Sequence, residues 1–155
     1  MCSLEANEPQ IEFVYFKIRN INEHDPAGQT LFEIKKEEKD WGQPIKEEAR
    51  TVKYHFGPMF FHLHTIGTTL NFRVGPKPVK KFVMVERHYF KNKLIKSYEF
   101  EVPFCMPSTV NSMEAIYELP TFSNEEIEEM IASPWETKSD SFYFAEGKLI
   151  MHNKA

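Results

Sequence analysis

Residues Val79–Phe104, VKKFVMVERHYFKNKLIKSYEFEVPF, read as two long β-strands joined by a short polar turn at Lys91–Lys93. Side chains on a strand alternate between faces. One face of the first strand therefore carries Phe82, Met84, Glu86, His88 and Phe90, and the other carries Val83, Val85, Arg87 and Tyr89. In the second strand Leu94, Lys96, Tyr98, Phe100, Val102 and Phe104 share a face. Glu86 is the exception to the pattern. It sits mid-strand on a face otherwise made of Phe, Met and His, where a carboxylate needs a partner.

Working outward, strands surround this pair. IEFVYFKIR (Ile11–Arg19) sets Ile11, Phe13 and Tyr15 against Val14, Phe16 and Ile18, so both faces are apolar. Asp25-Pro26 and Gly28 mark a turn, and TLFEIK (Thr30–Lys35) returns as the second strand of a hairpin. The charged stretch Lys36–Arg50, broken by Gly42 and Pro44, reads as a long surface loop. Thr51–Phe56 and Met59–Thr65 read as strand, interrupted at Gly57-Pro58. Thr68–Val74 follows, with Leu70, Phe72 and Val74 on one face.

Beyond Pro103, Met113, Ile116 and Tyr117 recur at helical spacing, so Ser112–Leu119 reads as two helical turns. Ser123 with Glu126 forms a capping box for a second short helix, whose apolar face is Ile127, Met130 and Ile131. Glu146-Gly147 signals a closing hairpin between Ser141–Ala145 and Lys148–His152. Eight or nine strands with regular turns predict an all-β sandwich with two short helical insertions. One domain over residues 11–155, behind a flexible segment at 1–10, is expected from the length of 155 residues.

The net charge of −4, spread among both signs, argues against nucleic-acid binding. No apolar run approaches the ~18 residues of a membrane-spanning helix. MCSLEANEPQ lacks the basic and apolar regions of a secretory leader, and Cys2 in second position rules out N-myristoylation of this chain. Cys2 and Cys105 do not make a disulfide framework, and both are expected as free thiols in a reducing, intracellular setting.

No GxGxxG, GxxxxGK, HExxH or GxSxG motif occurs. His62 and His64 on one strand face, with His88, invite a metal reading, but no carboxylate or thiol completes a site, so no metal and no cofactor are expected. Cys105 has no base nearby. Glu125, Glu126, Glu128 and Glu129 read as a solvated helix face. Glu86 with His88 is the best catalytic pair available, and binding or structure is the plainer role for it. The 14 Phe residues leave two readings open. Phe13, Phe16, Phe56, Phe60, Phe61, Phe72, Phe82, Phe90, Phe100 and Phe104, all on predicted strands, either fill a packed core or line a sandwich splayed around an apolar ligand. Glu86 favours the second.

The stretches EFVYFKIRN, TLFEIKK, VGPKPVKKFVMVERHYFKNKLIKSYEFEVPFCMPS and WETKSDSFYFAEGKLIMHNKA resemble the uncoordinated-119 family. That family consists of acyl-binding cargo chaperones related to the prenyl-binding delta subunit of retinal cGMP phosphodiesterase. The resemblance implies an immunoglobulin-like β-sandwich with an apolar pocket between its sheets and no enzymatic activity. It places Phe16, Tyr54, Phe60, Tyr98, Tyr117, Leu119 and Tyr143 in the lipid-binding wall. Several members carry Phe where this chain has Tyr98 and Leu119. Glu86 and His88 fall at the end of the pocket that meets the cargo peptide. The implied partners are N-myristoylated proteins, such as G-protein alpha subunits and ciliary proteins, and GTP-loaded ADP-ribosylation-factor-like GTPases that discharge them. The implied location is the cytoplasm, including the cilium; a prenyl binder of the delta-subunit type is the alternative.

Overall fold

The computed structural model describes residues 2–155 apart from 23–24, 44–46 and 55–57. Among the described residues, eight strands form two four-stranded antiparallel sheets. The first has the order β2-β1-β3-β6, from β1 (Glu12–Asn22), β2 (Asp25–Lys35), β3 (Thr65–Arg73) and β6 (Val110–Glu118). The second has the order β5-β4-β7-β8, from β4 (Val79–Phe90), β5 (Lys93–Cys105), β7 (Thr137–Ala145) and β8 (Lys148–Lys154). This is the expected immunoglobulin-like sandwich, and α1 (Asn124–Ala132) is its helix.

Turn chemistry sets the registers. Lys91 and Asn92 both take positive φ, 49° and 65°, the pattern of a two-residue hairpin turn whose twist matches its strands. A bulge between His88 and Tyr89 then shifts that register by one residue, so Glu86 pairs with Tyr98, Met84 with Phe100, and Phe82 with Val102. Glu146 and Gly147, at φ 52° and 84°, close β7 onto β8 in the same way. The capping box at Ser123 is present in full: its side chain accepts from the Glu126 amide, and the Glu126 carboxylate accepts from the Ser123 amide. Glu125, Glu126, Glu128 and Glu129 face solvent as expected, while Ile127 and Met130 are buried.

Four elements differ from the sequence reading. The turn expected at Asp25-Pro26 and Gly28 already belongs to β2, which begins at Asp25 rather than Thr30. Ser112–Leu119 is not helical; it belongs to β6, where buried Met113, Ala115 and Tyr117 alternate with exposed Glu114, Ile116 and Glu118. Met113, Ile116 and Tyr117 match a helical stripe, but Ile116 is 51% exposed and Ala115 completes a period of two. A segment this short is marginal as a helix by itself, whereas β3 offers it nine paired residues. The strand expected over Thr51–Phe56 is reduced to one bridge, Thr51 to Lys154, and Phe56 lies outside the described residues. The expected continuation at Met59–Thr65 is instead a 3₁₀ turn, Pro58–His62, before β3 begins at Thr65. Proline suits the first position of a helical turn, where its missing N–H would have no partner anyway.

The sandwich is solid at one end only. Phe72 on β3 and Phe82 on β4 meet across the sheets with ring centroids 5.0 Å apart, and both are fully buried. Phe82 stacks on Tyr143, which touches Phe13 at 4.9 Å. Ile11 and Cys105 complete this sealed end. Both cysteines are free thiols, and burial pushes the Cys105 thiol up to about 11. The segment after β2 is fastened by Glu12. Its carboxylate accepts from Lys36 Nζ at 2.9 Å, Arg73 Nη1 at 2.9 Å and the Gly42 amide at 3.1 Å. Burial opposes ionisation of Glu12, but these donors outweigh it and hold its carboxyl below the usual range. Trp41 adds a bond from its indole to the Lys36 carbonyl and lies under the Arg73 guanidinium. At the second sheet, the Val52 amide donates to the Lys154 carbonyl at 2.9 Å and Arg50 Nε to the His152 carbonyl at 3.3 Å, covering part of the β8 edge.

Because Phe82 joins the sheets where no space remains, Phe82→Ala is expected to cost about 3–5 kcal/mol of stability, measured by urea unfolding. A loss below about 1 kcal/mol would mean that the sealed end collapses to fill the gap.

Candidate functional site: a lined cavity between the sheets

Away from the Phe72–Phe82 end the sheets part around an open cavity of about 1890 Å³, walled also by residues of the segment after β2 and of the stretch between α1 and β7. Ordinary ligand pockets occupy ~300–1,000 Å³, so the space suits a long or composite ligand. Phe13, Phe16, Phe32, Leu63, Leu119 and Met151 pack against the core yet stay partly accessible, because each faces the cavity. Among the described residues, the aromatic excess is thus divided. Phe72 and Phe82 fill the sealed end, whereas Phe13, Phe16, Phe32, Phe60, Phe61 and Phe122 line the space.

Period-two geometry brings Met84, Glu86 and His88 of β4 to the cavity wall, as their shared face requires. Across the gap, β6 presents Met113 and Tyr117, β3 presents Ile66, Thr68 and Leu70, and β7 presents Ser141 and Tyr143. Exposed Ile131 and Trp135 stand at the rim.

Glu86 has the partners that its setting demands. The Tyr117 hydroxyl donates to Oε2, and His88 Nε2 lies 3.0 Å from Oε1. Buried Thr68 of β3 stands close to the Tyr117 phenol. Only 17% of the Glu86 side chain is accessible. Aromatic rings close around it: Tyr98 lies 4.8 Å from Tyr117 and 5.2 Å from His88.

The negative charge is felt by the surrounding phenols. Burial first, then the Glu86 carboxylate, pushes Tyr54 and Tyr98 up to about 12. Tyr117 is driven well above its ordinary value by burial, by the Glu86 charge and by its bond to that carboxylate. Tyr143 is raised by the same two leading causes, burial and Glu86.

Eight of the nine site residues read from the sequence meet at this cavity: Phe16, Tyr54, Phe60, Glu86, His88, Tyr117, Leu119 and Tyr143. Tyr98 is not in the lining. It stands behind Tyr117, and its hydroxyl donates to the Glu118 carbonyl at 3.1 Å. His62 and His64 do not share a strand face: His62 ends the 3₁₀ turn, and both are exposed while His88 lies in the wall. Among the described residues no group of three His, Cys, Asp or Glu side chains is placed to hold a metal. Sequence reasoning missed Phe32 and Met84 as lining residues, although strand alternation pointed both inward. It also missed the Tyr117–Glu86 bond, because the helical reading of β6 hid the register that makes it.

A phenol titration tests this electrostatic picture. Glu86→Gln removes a negative charge, so phenolates form more easily and the high-pH absorbance step of the tyrosines is expected to move downward. An unchanged titration would mean that the carboxylate does not act on them.

Comparison with known proteins places the chain. Residues 5–155 match the family model described as GMP-PDE, delta subunit. The chain is 47% identical over 159 residues to Protein unc-119 of Caenorhabditis elegans, with all of this chain and 70% of that protein covered. Against Protein unc-119 homolog B of Homo sapiens it is 46% identical over 164 residues, covering 64% of the human protein. Against the Drosophila melanogaster unc-119 homolog the identity is 40%, covering 65% of that protein. The chain thus spans a little under two thirds of the human and fly proteins. Full-length coverage of the chain at this identity, on a two-sheet sandwich holding an apolar cavity, leads to one conclusion: it belongs to the unc-119 family of lipid-binding solubilising proteins related to the phosphodiesterase delta subunit.

Proposed function

We propose that the protein binds the N-terminal myristoyl or lauroyl group of acylated proteins, keeps them soluble and carries them between membranes, including to cilia. The observation that carries this reading is the large apolar cavity with Glu86 in its wall. Each buried methylene contributes about 0.8 kcal/mol, so some twelve would supply roughly 10 kcal/mol before ordering costs. The chain alone cannot distinguish one acylated protein from another. A carboxylate at the wall adds register, by accepting from the amides that follow the acyl carbonyl. Phe16, Tyr54, Phe60, Tyr117, Leu119 and Tyr143 bind lipid in this proposal, while Glu86 and His88 meet the first residues of the cargo peptide. Tyr98, behind Tyr117, acts on the lipid wall through its ring contact.

Cargo would include G-protein alpha subunits and other N-myristoylated proteins. Binding this tight requires a discharge step, which we assign to a GTP-loaded ADP-ribosylation-factor-like GTPase that pairs with a free sheet edge. The working location is the cytoplasm and cilium. In this reading the pair binds rather than catalyses: Glu86 is bonded to His88 and accepts from the Tyr117 hydroxyl, within a wall lined largely by apolar side chains.

Titration with a fluorescent myristoyl-glycyl peptide, beside its non-acylated twin, tests the function. Tight binding of the acylated peptide alone is expected, and equal affinity for both would sink the proposal. A farnesylated peptide in competition distinguishes the delta-subunit type of ligand; displacement at equal concentration would favour a prenyl binder. Glu86→Ala is expected to weaken the myristoyl peptide by about tenfold or more, the loss of one charge-assisted bond, while leaving myristic acid bound at least as well. Equal losses for both ligands would remove Glu86 from peptide reading.

A further inference from the structure

Glu86 has a property that an acyl amide does not use. Its carboxylate sits in a cavity wall with 17% of the side chain accessible. Among the described residues, the groups bonded to it are a phenol and an imidazole, not an ammonium or guanidinium. Three rings form its surroundings: His88 and Tyr117 lie nearly parallel at 6.1 Å, and Tyr98 meets both. A carboxylate enclosed by aromatic faces is the usual recognition element for an organic cation, which gains from both the charge and the rings. Apolar surface for an alkyl chain continues directly from it through Met84, Leu70 and Phe16.

We infer that this cavity also accepts single-chain lipids that end in a protonated primary amine, with the ammonium at Glu86 and the chain along the apolar lining. The inference uses the same cavity as the acyl-peptide reading but does not depend on that reading. The ammonium donates to Glu86 Oε1 or Oε2, displacing the His88 or Tyr117 contact, and stands against the His88 and Tyr117 rings. A neutral alcohol of the same length keeps the chain contacts and loses the charge. A fatty acid meets carboxylate with carboxylate. The expected order is amine, then alcohol, then acid. A charge-assisted bond exceeds a neutral one by enough to separate amine from alcohol by about ten- to a hundredfold.

Isothermal titration of the whole chain with decylamine, decanol and decanoate, below their micellar concentrations at neutral pH, tests this. Decylamine is expected to bind at least tenfold tighter than decanol, with the gap collapsing in Glu86→Gln. Equal affinities, or a gap that survives Glu86→Gln, would overturn the inference. If Glu86→Gln does not fold, Tyr117→Phe serves: it leaves the carboxylate in place with one oxygen freed, so the amine-to-alcohol ratio is expected to hold or rise, and a fall would overturn it. Sphinganine in a parallel arm is expected to lose affinity in Glu86→Gln by about the same factor as decylamine, and an affinity unchanged by the substitution would overturn the inference. Titrating the myristoyl-glycyl peptide alongside keeps the two readings apart. Amine preference without peptide binding would sink only the acyl function, and peptide binding without amine preference only this inference.

Discussion

Glu86 on β4 and Tyr117 on β6 belong to opposite sheets, and the Tyr117 hydroxyl donates to the Glu86 carboxylate across the space between them. An ionised carboxylate in an apolar interior is costly unless its oxygens are bonded. Here one oxygen is met by the facing sheet and the other by His88 from its own strand. The sheets can therefore stand apart around a cavity while keeping a polar tie between them. A packed hydrophobic core in the same place would leave no room for a ligand, and an unpaired carboxylate would not be tolerated. The tie makes a hollow interior compatible with a buried charge.

The two ends of the sandwich divide the labour. Phe72 against Phe82, extended by Tyr143 and Phe13, holds the sheets in contact at the sealed end. Toward the other end the same kinds of side chain face a void, so stability has to come from elsewhere. Part of it comes from the hairpins, whose turns at Lys91-Asn92 and Glu146-Gly147 suit the strand twist. Part comes from Glu12, which joins Lys36, Gly42 and Arg73 and fastens the segment after β2. A cavity of about 1890 Å³ in a chain of 155 residues depends on such peripheral fastening, since burial within the sandwich is incomplete.

Strand alternation alone identified Glu86 as a charge on an apolar face, and turn residues alone located both hairpins and the capped helix. Those features are local: they depend on residue types two to four positions apart. The errors over β6 and Pro58–His62 share one cause, strand pairing. Met113, Ile116 and Tyr117 fit a helical stripe as well as Met113, Ala115 and Tyr117 fit a strand, and only pairing with β3 decides between them. At Pro58–His62 an aromatic run resembled a strand, but among the described residues no strand pairs with it and it forms a 3₁₀ turn. Tyr98 was placed in the cavity wall by resemblance. Its strand does face inward, yet Tyr117 and His88 stand between it and the space.

Whether the Phe residues filled a core or lined a hole could not be read from their pattern, because both arrangements put the same alternation on the same strands. The spacing of the sheets is a tertiary quantity, determined by where side chains from both sides meet. Phe72 reaches Phe82, whereas Phe16 and Phe32 meet each other and Tyr54 and face the cavity. From sequence came a sandwich of eight or nine strands, the turns at Lys91-Asn92 and Glu146-Gly147 and the misplaced carboxylate, since these follow from periodicity and turn chemistry. The cavity, the Tyr117 bond that makes Glu86 tolerable there and the ring cluster around it came only from the tertiary structure, because each joins residues of different strands across a gap that no local pattern encodes.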